Sequence, residues 1–376
     1  MRLRTMSIPL SGSALDGPLK RVVDHAVARI DRGEDLGVGV TVLRHGAPLL
    51  DLRAGWRDRK QTTPLDQTLL PVYSCGKAVL AALTLAAIEQ GVLDYDAPVA
   101  AIWDAFGQNG KESVTLAQAL SHQAGIPGIR TEISPSLWTD WEGICAVIAA
   151  ETPMWPPGTA SGYHPQTVGF IVGECLRRVH DRTVGAQVAA LGLDIHCGMT
   201  GAITERAGPM VKPTGLPDFG DRRDEAMIAF MTPWAQAGGV DRQAWMAAEI
   251  PASNMHATST GLAHLMQVFA TGQLDGREVA SDQARAAALA PRIEGPDKVL
   301  PFDLSWAAGL MRNTIGALGP SETAVGHYGF GGSFVLADPA HGLSIAFVPN
   351  KMEPILIGGQ RATSLIQLVY EELELV

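Results

Sequence analysis

Ser74-Cys75-Gly76-Lys77 sets a hydroxyl and an amine three residues apart, at the head of an apolar run from Ala78 to Ile88. A helix through that run carries positions i and i+3 on one face, so the lysine amine comes within hydrogen-bonding reach of the serine hydroxyl. Burial disfavours the charged lysine and moves its pKa down, toward a value at which the amine accepts a proton. A serine beside such an amine is an activated nucleophile, and the helix N-terminus adds a dipole that favours developing negative charge. The spacing alone is weak, because Ser-x-x-Lys arises readily by chance. Its setting adds weight: it is the one match in the chain, and a lysine in so apolar a helix is costly without a partner or a function.

The helix that carries this pair needs a scaffold, and both chain ends supply one. Asp16-Gly17-Pro18 signals a helix start, and Leu19, Val22, Val23, Ala26, Val27 and Ile30 keep helical spacing up to Gly33. Val38, Val40 and Val42 alternate as in a strand, His45-Gly46 turns the chain, and Pro48 to Trp56 returns. The C-terminal end shows the mirror order. Ser333 to Ala337 and Leu343 to Val348 are apolar runs joined by Asp338-Pro339-Ala340-His341-Gly342, and Ala362, Leu365, Ile366, Val369, Tyr370 and Leu373 then keep helical spacing. An antiparallel sheet covered by terminal helices buries both stripes, which predicts an α+β fold. The sheet domain is built from 1–70 and 300–376, with 71–299 as a mainly helical insertion and the active site at the interface. Within the insertion, Gly201 to Ser253 is rich in Gly, Pro and Asp and reads as long ordered loops, either covering a site or forming a surface excursion.

The 376 residues are 46% apolar and 18% charged, which excludes a disordered, collagen-like or coiled-coil chain. A net charge of -10 without any Lys/Arg-rich run argues against nucleic acid and anionic lipid as partners. The four cysteines (Cys75, Cys145, Cys175 and Cys197) are too dispersed for a disulfide scaffold or a metal knuckle, and read as buried thiols. No apolar run is long enough to span a bilayer. The N-terminus carries two arginines, but Pro9 and Gly12 interrupt any signal-peptide core, so a cytoplasmic enzyme is expected. The residues around Ser74 fail the Gly-x-Ser-x-Gly elbow, and no metal site or cofactor is implied.

Together with SCGK, the segments GVLDYDAPVA (Gly91 to Ala100) and LSHQAG (Leu120 to Gly125) resemble the serine beta-lactamase and penicillin-binding-protein superfamily, most of all its class C and family VIII carboxylesterase branch. That resemblance implies a beta-lactamase/transpeptidase-like fold and three motifs in fixed order. Ser74 and Lys77 match the first. The second, normally Tyr-x-Asn, is matched by Tyr163 in WPPGTASGYHP, with His164 and Pro165 following; a phenol there, ionised or sharing the lysine's proton, can deprotonate the serine and later protonate the leaving group. In lactam-hydrolysing relatives the asparagine helps hold the substrate's amide side chain, so Pro165 favours an esterase. The third motif, normally Lys-Thr-Gly, resembles His327-Tyr328-Gly329 in VGHYGFGGSFVLADP, with histidine in place of lysine.

By the same resemblance, the N–H groups of Ser74 and Phe330 form an oxyanion hole. His327, Tyr328, Gly329 and His164 are expected to contact substrate; for His327 the alternative is a structural histidine bonded to a loop. His122 is expected to be structural, and His25, His180 and His264 lie on helices without paired ligands. The function expected is a serine hydrolase working through an acyl-enzyme, with small carboxylic esters as substrates. Lactam or D-amino-acid amide cleavage, acyl transfer, and a penicillin-binding scaffold that is acylated without turnover are the alternatives.

Overall fold

The computed structural model describes residues 7–221 and 223–375; Arg2 and Arg4, weighed in the reading of the N-terminus, lie outside the described residues. Among the described residues one large sheet contains nine strands: β1 (Leu10–Ser13), β2 (Gly37–Arg44), β3 (Ala47–Gly55), β4 (Ile293–Pro296), β5 (Asp303–Trp306), β6 (Met311–Arg312), β7 (Val325–Tyr328), β8 (Phe334–Asp338) and β9 (Leu343–Pro349). Their order across the sheet is β1-β3-β2-β9-β8-β7-β6-β5-β4, antiparallel throughout. The β9–β2 pairing is where the two chain ends meet. His45 and Gly46 close the β2–β3 hairpin with φ of 48° and 77°, the left-handed pair whose twist matches that of the flanking strands.

The pleat sorts the strand side chains onto two faces. Val38, Val40, Val42, Phe334, Leu336, Leu343, Ile345 and Phe347 face the terminal helices α1 (Lys20–Asp31) and α5 (Gln360–Glu372). Val335, Ala337, Ala346 and Val348 face the helical part of the molecule. There α2 (Gly76–Glu89), α3 (Thr167–His180) and α4 (Ser259–Thr271) lie in the interior, with short helices and two-residue strand pairs between them. Helix α2 is Ala- and Leu-rich, so it forms readily, and it is apolar on every side, so it is stable only when enclosed. Each fully buried Leu, Ile, Val or Phe in these cores contributes about 1.5–3 kcal/mol.

Two expectations need correction. The sheet does not begin again at 300: β4 starts at Ile293, and α4, from within the 71–299 span, packs flat against β2, β8 and β9. The sheet's inner face is apolar and requires a helix, and the nearest amphipathic one comes from the middle of the chain. The Gly201 to Ser253 stretch is also not all loop. It contains a 3-10 turn at Gly201–Arg206, a helical turn at Asp224–Ala226 running into a π-helix at Met227–Met231, and a short helix at Arg242–Ala247 capped by Asp241. Among the described residues no helix is long and apolar enough to cross a membrane.

Candidate active site

A 3-10 turn at Tyr73–Cys75 leads into α2 and carries Ser74 at the helix entrance. Tyr73, just before it, has φ of 48°, a left-handed conformation unusual for a bulky side chain and of the kind that gathers at functional sites. Gly76 is required by a neighbour: a Cβ there would stand 2.4 Å from the Pro251 carbonyl. Its absence lets the 250–253 segment lie against the helix start and bring the Ala252 carbonyl to Lys77.

Lys77 Nζ sits 3.0 Å from Ser74 Oγ and donates to the carbonyls of Pro165 at 2.8 Å and Ala252 at 3.2 Å. Lys77 is only 3% exposed and no carboxylate faces it, so burial holds its pKa well below the ordinary lysine value. A neutral amine has two N–H groups and one lone pair. The two carbonyls take the N–H groups, which leaves the lone pair for the Ser74 hydroxyl proton. The Tyr163 ring, 4.8 Å from Nζ, favours the ammonium; its attraction is small beside the cost of burying an unpaired charge.

Tyr163 donates from its hydroxyl to Ser74 Oγ at 2.7 Å, and burial pushes the phenol's pKa up. The buried pair is therefore a neutral amine and a neutral phenol, with Ser74 between them. Of the two roles weighed for the tyrosine, taking the serine's proton or protonating the leaving group, this environment favours the second and leaves the first to Lys77. Tyr163 is stacked between Phe230 and Trp306, with centroids at 6.3 and 6.0 Å, and His122 packs edge-on at 4.8 Å. Behind it, Asp297 Oδ1 accepts the N–H groups of Tyr163, Val299 and Leu300, each at 2.9 Å.

His327 is buried beside the cavity. Its Nδ1–H donates to the Tyr328 carbonyl at 2.8 Å, which makes Nε2 the acceptor nitrogen, without a partner among the described residues. Burial first, and Lys77 nearby, push its pKa down to about 3, so it is neutral. His164 differs from expectation: it is fully buried, its Nδ1–H donates to the Gly162 carbonyl at 2.5 Å, and its Nε2 accepts the Ile126 N–H at 3.0 Å. With both nitrogens engaged and no place on the cavity wall, it braces the Tyr163 loop and does not reach substrate. Tyr328 lines the cavity, but its hydroxyl is bonded to the Ala317 carbonyl. Gly329 is not on the wall; a Cβ there would stand 2.3 Å from the Val72 carbonyl, so glycine lets the strand edge close against the segment before Ser74.

Phe330 is on the wall, edge-on to Tyr73 at 5.9 Å. Neither its N–H nor that of Ser74 bonds to a carbonyl among the described residues, so both are available to an oxyanion. The loop after it is held by Arg361, which donates to the Gly331 carbonyl at 2.5 Å.

These groups open on a cavity of about 530 Å³ lined by Ser74, Tyr163 and His327 together with Tyr73, Phe219, Phe230, Trp245, Trp306 and Phe330. Among the described lining residues there is no Asp, Glu, Lys or Arg. Leu216, Phe219, Phe230, Ala235, Trp245 and Ser253 come from the 201–253 stretch, which therefore covers the site. Sequence reasoning missed Asp297, Trp306, Gln166 and Ser253. Asp297 stands in a Gly-Pro-Asp-Lys run that reads as a turn, and nothing local marks its carboxylate as buried. No cluster of three or more His, Cys, Asp or Glu suited to a metal ion occurs among the described residues.

A helix that opens on a serine beside a large antiparallel sheet, with a lysine and a tyrosine on that serine, is the arrangement of a serine hydrolase of beta-lactamase/transpeptidase-like fold. The chain belongs to the Beta-lactamase family, whose profile matches residues 19–369. The Esterase/beta-lactamase LipL of Mycobacterium tuberculosis is 30% identical over 359 residues, covering 88% of this chain and 81% of that protein. The crystal structure of a penicillin-binding protein homolog from Caulobacter crescentus superposes with a TM-score of 0.91 at 39% identity, covering 97% of this chain and 100% of that one. That of a family VIII carboxylesterase gives 0.89 at 30% identity, with the same coverage of both chains.

Proposed function

We propose that this hydrolase is a carboxylesterase that cleaves short-chain, uncharged carboxylic esters through an acyl-enzyme on Ser74. The observation that carries the reading is the cavity wall, which has no charged side chain among its described residues. Penicillins and cephalosporins bear a carboxylate next to the lactam ring, and D-amino-acid peptides carry charged ends. Neither finds a cation here, and desolvating a carboxylate without one is strongly unfavourable. His327, neutral with an acceptor nitrogen, cannot take that place.

In the proposed cycle Ser74 passes its proton to Lys77 Nζ and attacks the ester carbonyl. The oxyanion is received by the N–H groups of Ser74 and Phe330. Tyr163 protonates the departing alkoxide, and the Lys77 ammonium returns a proton to the phenolate, so both groups end the step neutral. Water then repeats the sequence on the acyl-enzyme, with Lys77 again accepting the proton and the Ser74 oxygen leaving. No cofactor takes part in these steps.

A second reading, favoured by the overlay on the Caulobacter penicillin-binding protein homolog, is a scaffold acylated at Ser74 that turns over slowly. One experiment separates the two: wild type and Ser74→Ala are given a short-chain p-nitrophenyl ester and, separately, a chromogenic cephalosporin, with turnover followed beside intact-protein mass. Ester turnover that vanishes in Ser74→Ala, with little cephalosporin hydrolysis, is the expected result. A stable cephalosporin adduct with negligible ester turnover overturns the carboxylesterase assignment in favour of the scaffold.

A further inference from the structure

Pro165 and Ala252 grip Lys77 through their carbonyls, and the residues that follow them, Gln166 and Ser253, both stand on the cavity wall. There the Ser253 hydroxyl donates to Gln166 Oε1 at 2.7 Å. The hydroxyl holds this end of the amide, and with Oε1 on it Nε2 keeps its two N–H groups for another partner. Nε2 bonds to no described residue, and it is open to the cavity, not sealed in the wall. Gln236, the other amide on the wall, has no such anchor among the described residues. The Gln166 amide is thus held at one end, with Nε2 toward the cavity, one residue beyond the carbonyl that holds Lys77. In a cavity lined mainly by apolar and aromatic groups, a hydrocarbon placed against this N–H leaves it unpaired, whereas an oxygen satisfies it.

We infer that Gln166, oriented by Ser253, determines specificity by donating to an uncharged oxygen of the substrate close to the scissile ester. The substrate class is then an ester with a keto, ether or amide oxygen a few atoms from the reacting carbonyl, in preference to a plain alkyl ester of the same shape. This rests on the carboxylesterase reading above.

The test uses matched pairs in which an acceptor replaces a hydrocarbon group: p-nitrophenyl methoxyacetate with butyrate, p-nitrophenyl 4-oxopentanoate with 4-methylpentanoate, and 2-methoxyethyl butyrate with butyl butyrate. For each pair the ratio of kcat/KM is measured in wild type, Gln166→Leu and Ser253→Ala, so that intrinsic reactivity cancels between proteins. In at least one pair the ratio should fall about three- to tenfold in Gln166→Leu and by less in Ser253→Ala, where the amide remains but is free to turn. Ratios unchanged in all three pairs, in variants that still turn over ester and melt as wild type, overturn the inference and leave the esterase standing. If wild type turns over no ester at all, the carboxylesterase reading fails and the inference falls with it.

Discussion

Two buried cations stand on opposite sides of the sheet, and their surroundings are opposite too. Arg361, on α5, is 3% exposed; it pairs with Asp35 at 2.8 Å, approaches Glu353 at 3.4 Å and donates to the Lys351 and Gly331 carbonyls. Asp35 in turn takes Arg29 at 2.6 Å. Charge there is matched by charge, and the network ties both chain ends together. Lys77, equally buried, meets two carbonyls, a hydroxyl and a phenol ring, and no carboxylate. The first arrangement keeps a cation and gives it nothing to react with; the second discharges the cation and makes it a base. Lys111 shows that burial on carbonyls is not sufficient, since it too is buried on carbonyls, of Gln108 and Glu151, with its pKa lowered by burial against the pull of the Glu112 and Glu151 carboxylates. Its amine meets no hydroxyl among the described residues.

The comparison breaks most directly if both cations are replaced by methionine. Lys77→Met should lower kcat/KM for an ester by at least about a thousandfold, while unfolding stability changes by no more than about 1–2 kcal/mol, because relief from burying an amine without a carboxylate offsets the donor lost to the Pro165 and Ala252 carbonyls. Arg361→Met leaves Asp35 with Arg29 alone and takes the donor from the buried Lys351 and Gly331 carbonyls, and should lower stability by about 3–5 kcal/mol. Chemical denaturation and a single ester assay on both variants check this. Equal losses of stability, or an active Lys77→Met enzyme, would show that the two sites do not differ as described. Tyr163→Phe comes next: about 10²- to 10³-fold in kcat, with the stacking on Phe230 and Trp306 intact and the melting temperature close to wild type. A kcat within a few fold of wild type would remove Tyr163 from proton transfer.

Acid should weaken the site's side of the sheet. His164 and His327 are held down to about 3 by burial, and His122 is held well below its usual value. An unfolded histidine takes up a proton below about 6.5, which the folded one refuses, so stability is full above that pH and is lost as pH falls toward 3. Near pH 5 each of the first two withdraws about 2 kcal/mol. Denaturation at pH 7 and pH 5 should show a loss that shrinks by about that amount in His164→Asn; a pH dependence identical to wild type would mean that His164 is not buried neutral.

Much of this was legible beforehand, and the failures have physical causes. Helices and hairpins at both ends follow from periodicity and turn residues, because they bury one face against a neighbour close in sequence. The α4 helix was not placed on the sheet, because an apolar stripe does not say which surface it covers. Ser74 and Lys77 were legible because one helix holds both at fixed spacing. His164 was misassigned because adjacency to Tyr163 in sequence says nothing of direction, and its ring turns into the wall. Gln166 and Ser253 meet only because separate segments converge on Lys77.

Asp297 gives the smallest expected effect and the sharpest test of where the site ends. It is 1% exposed, has no cationic partner among the described residues, and spreads its charge over three backbone N–H groups, one of them that of Tyr163. Its second oxygen bonds to nothing described. In Asp297→Asn the carbonyl can keep the three bonds, but an amide N–H₂ then occupies a buried position with no acceptor, which costs about 1–3 kcal/mol of stability. A part that only holds the fold would show that loss and no more. If the carboxylate positions Tyr163, kcat should fall about tenfold with KM nearly unchanged. Because the negative charge also helps to keep the phenol protonated, the alkaline limb of the kcat profile should move to lower pH. A variant with wild-type kcat and an unmoved profile, less stable or not, would place Asp297 with Arg361 in the scaffold and draw the boundary of the site at the aromatic stack around Tyr163.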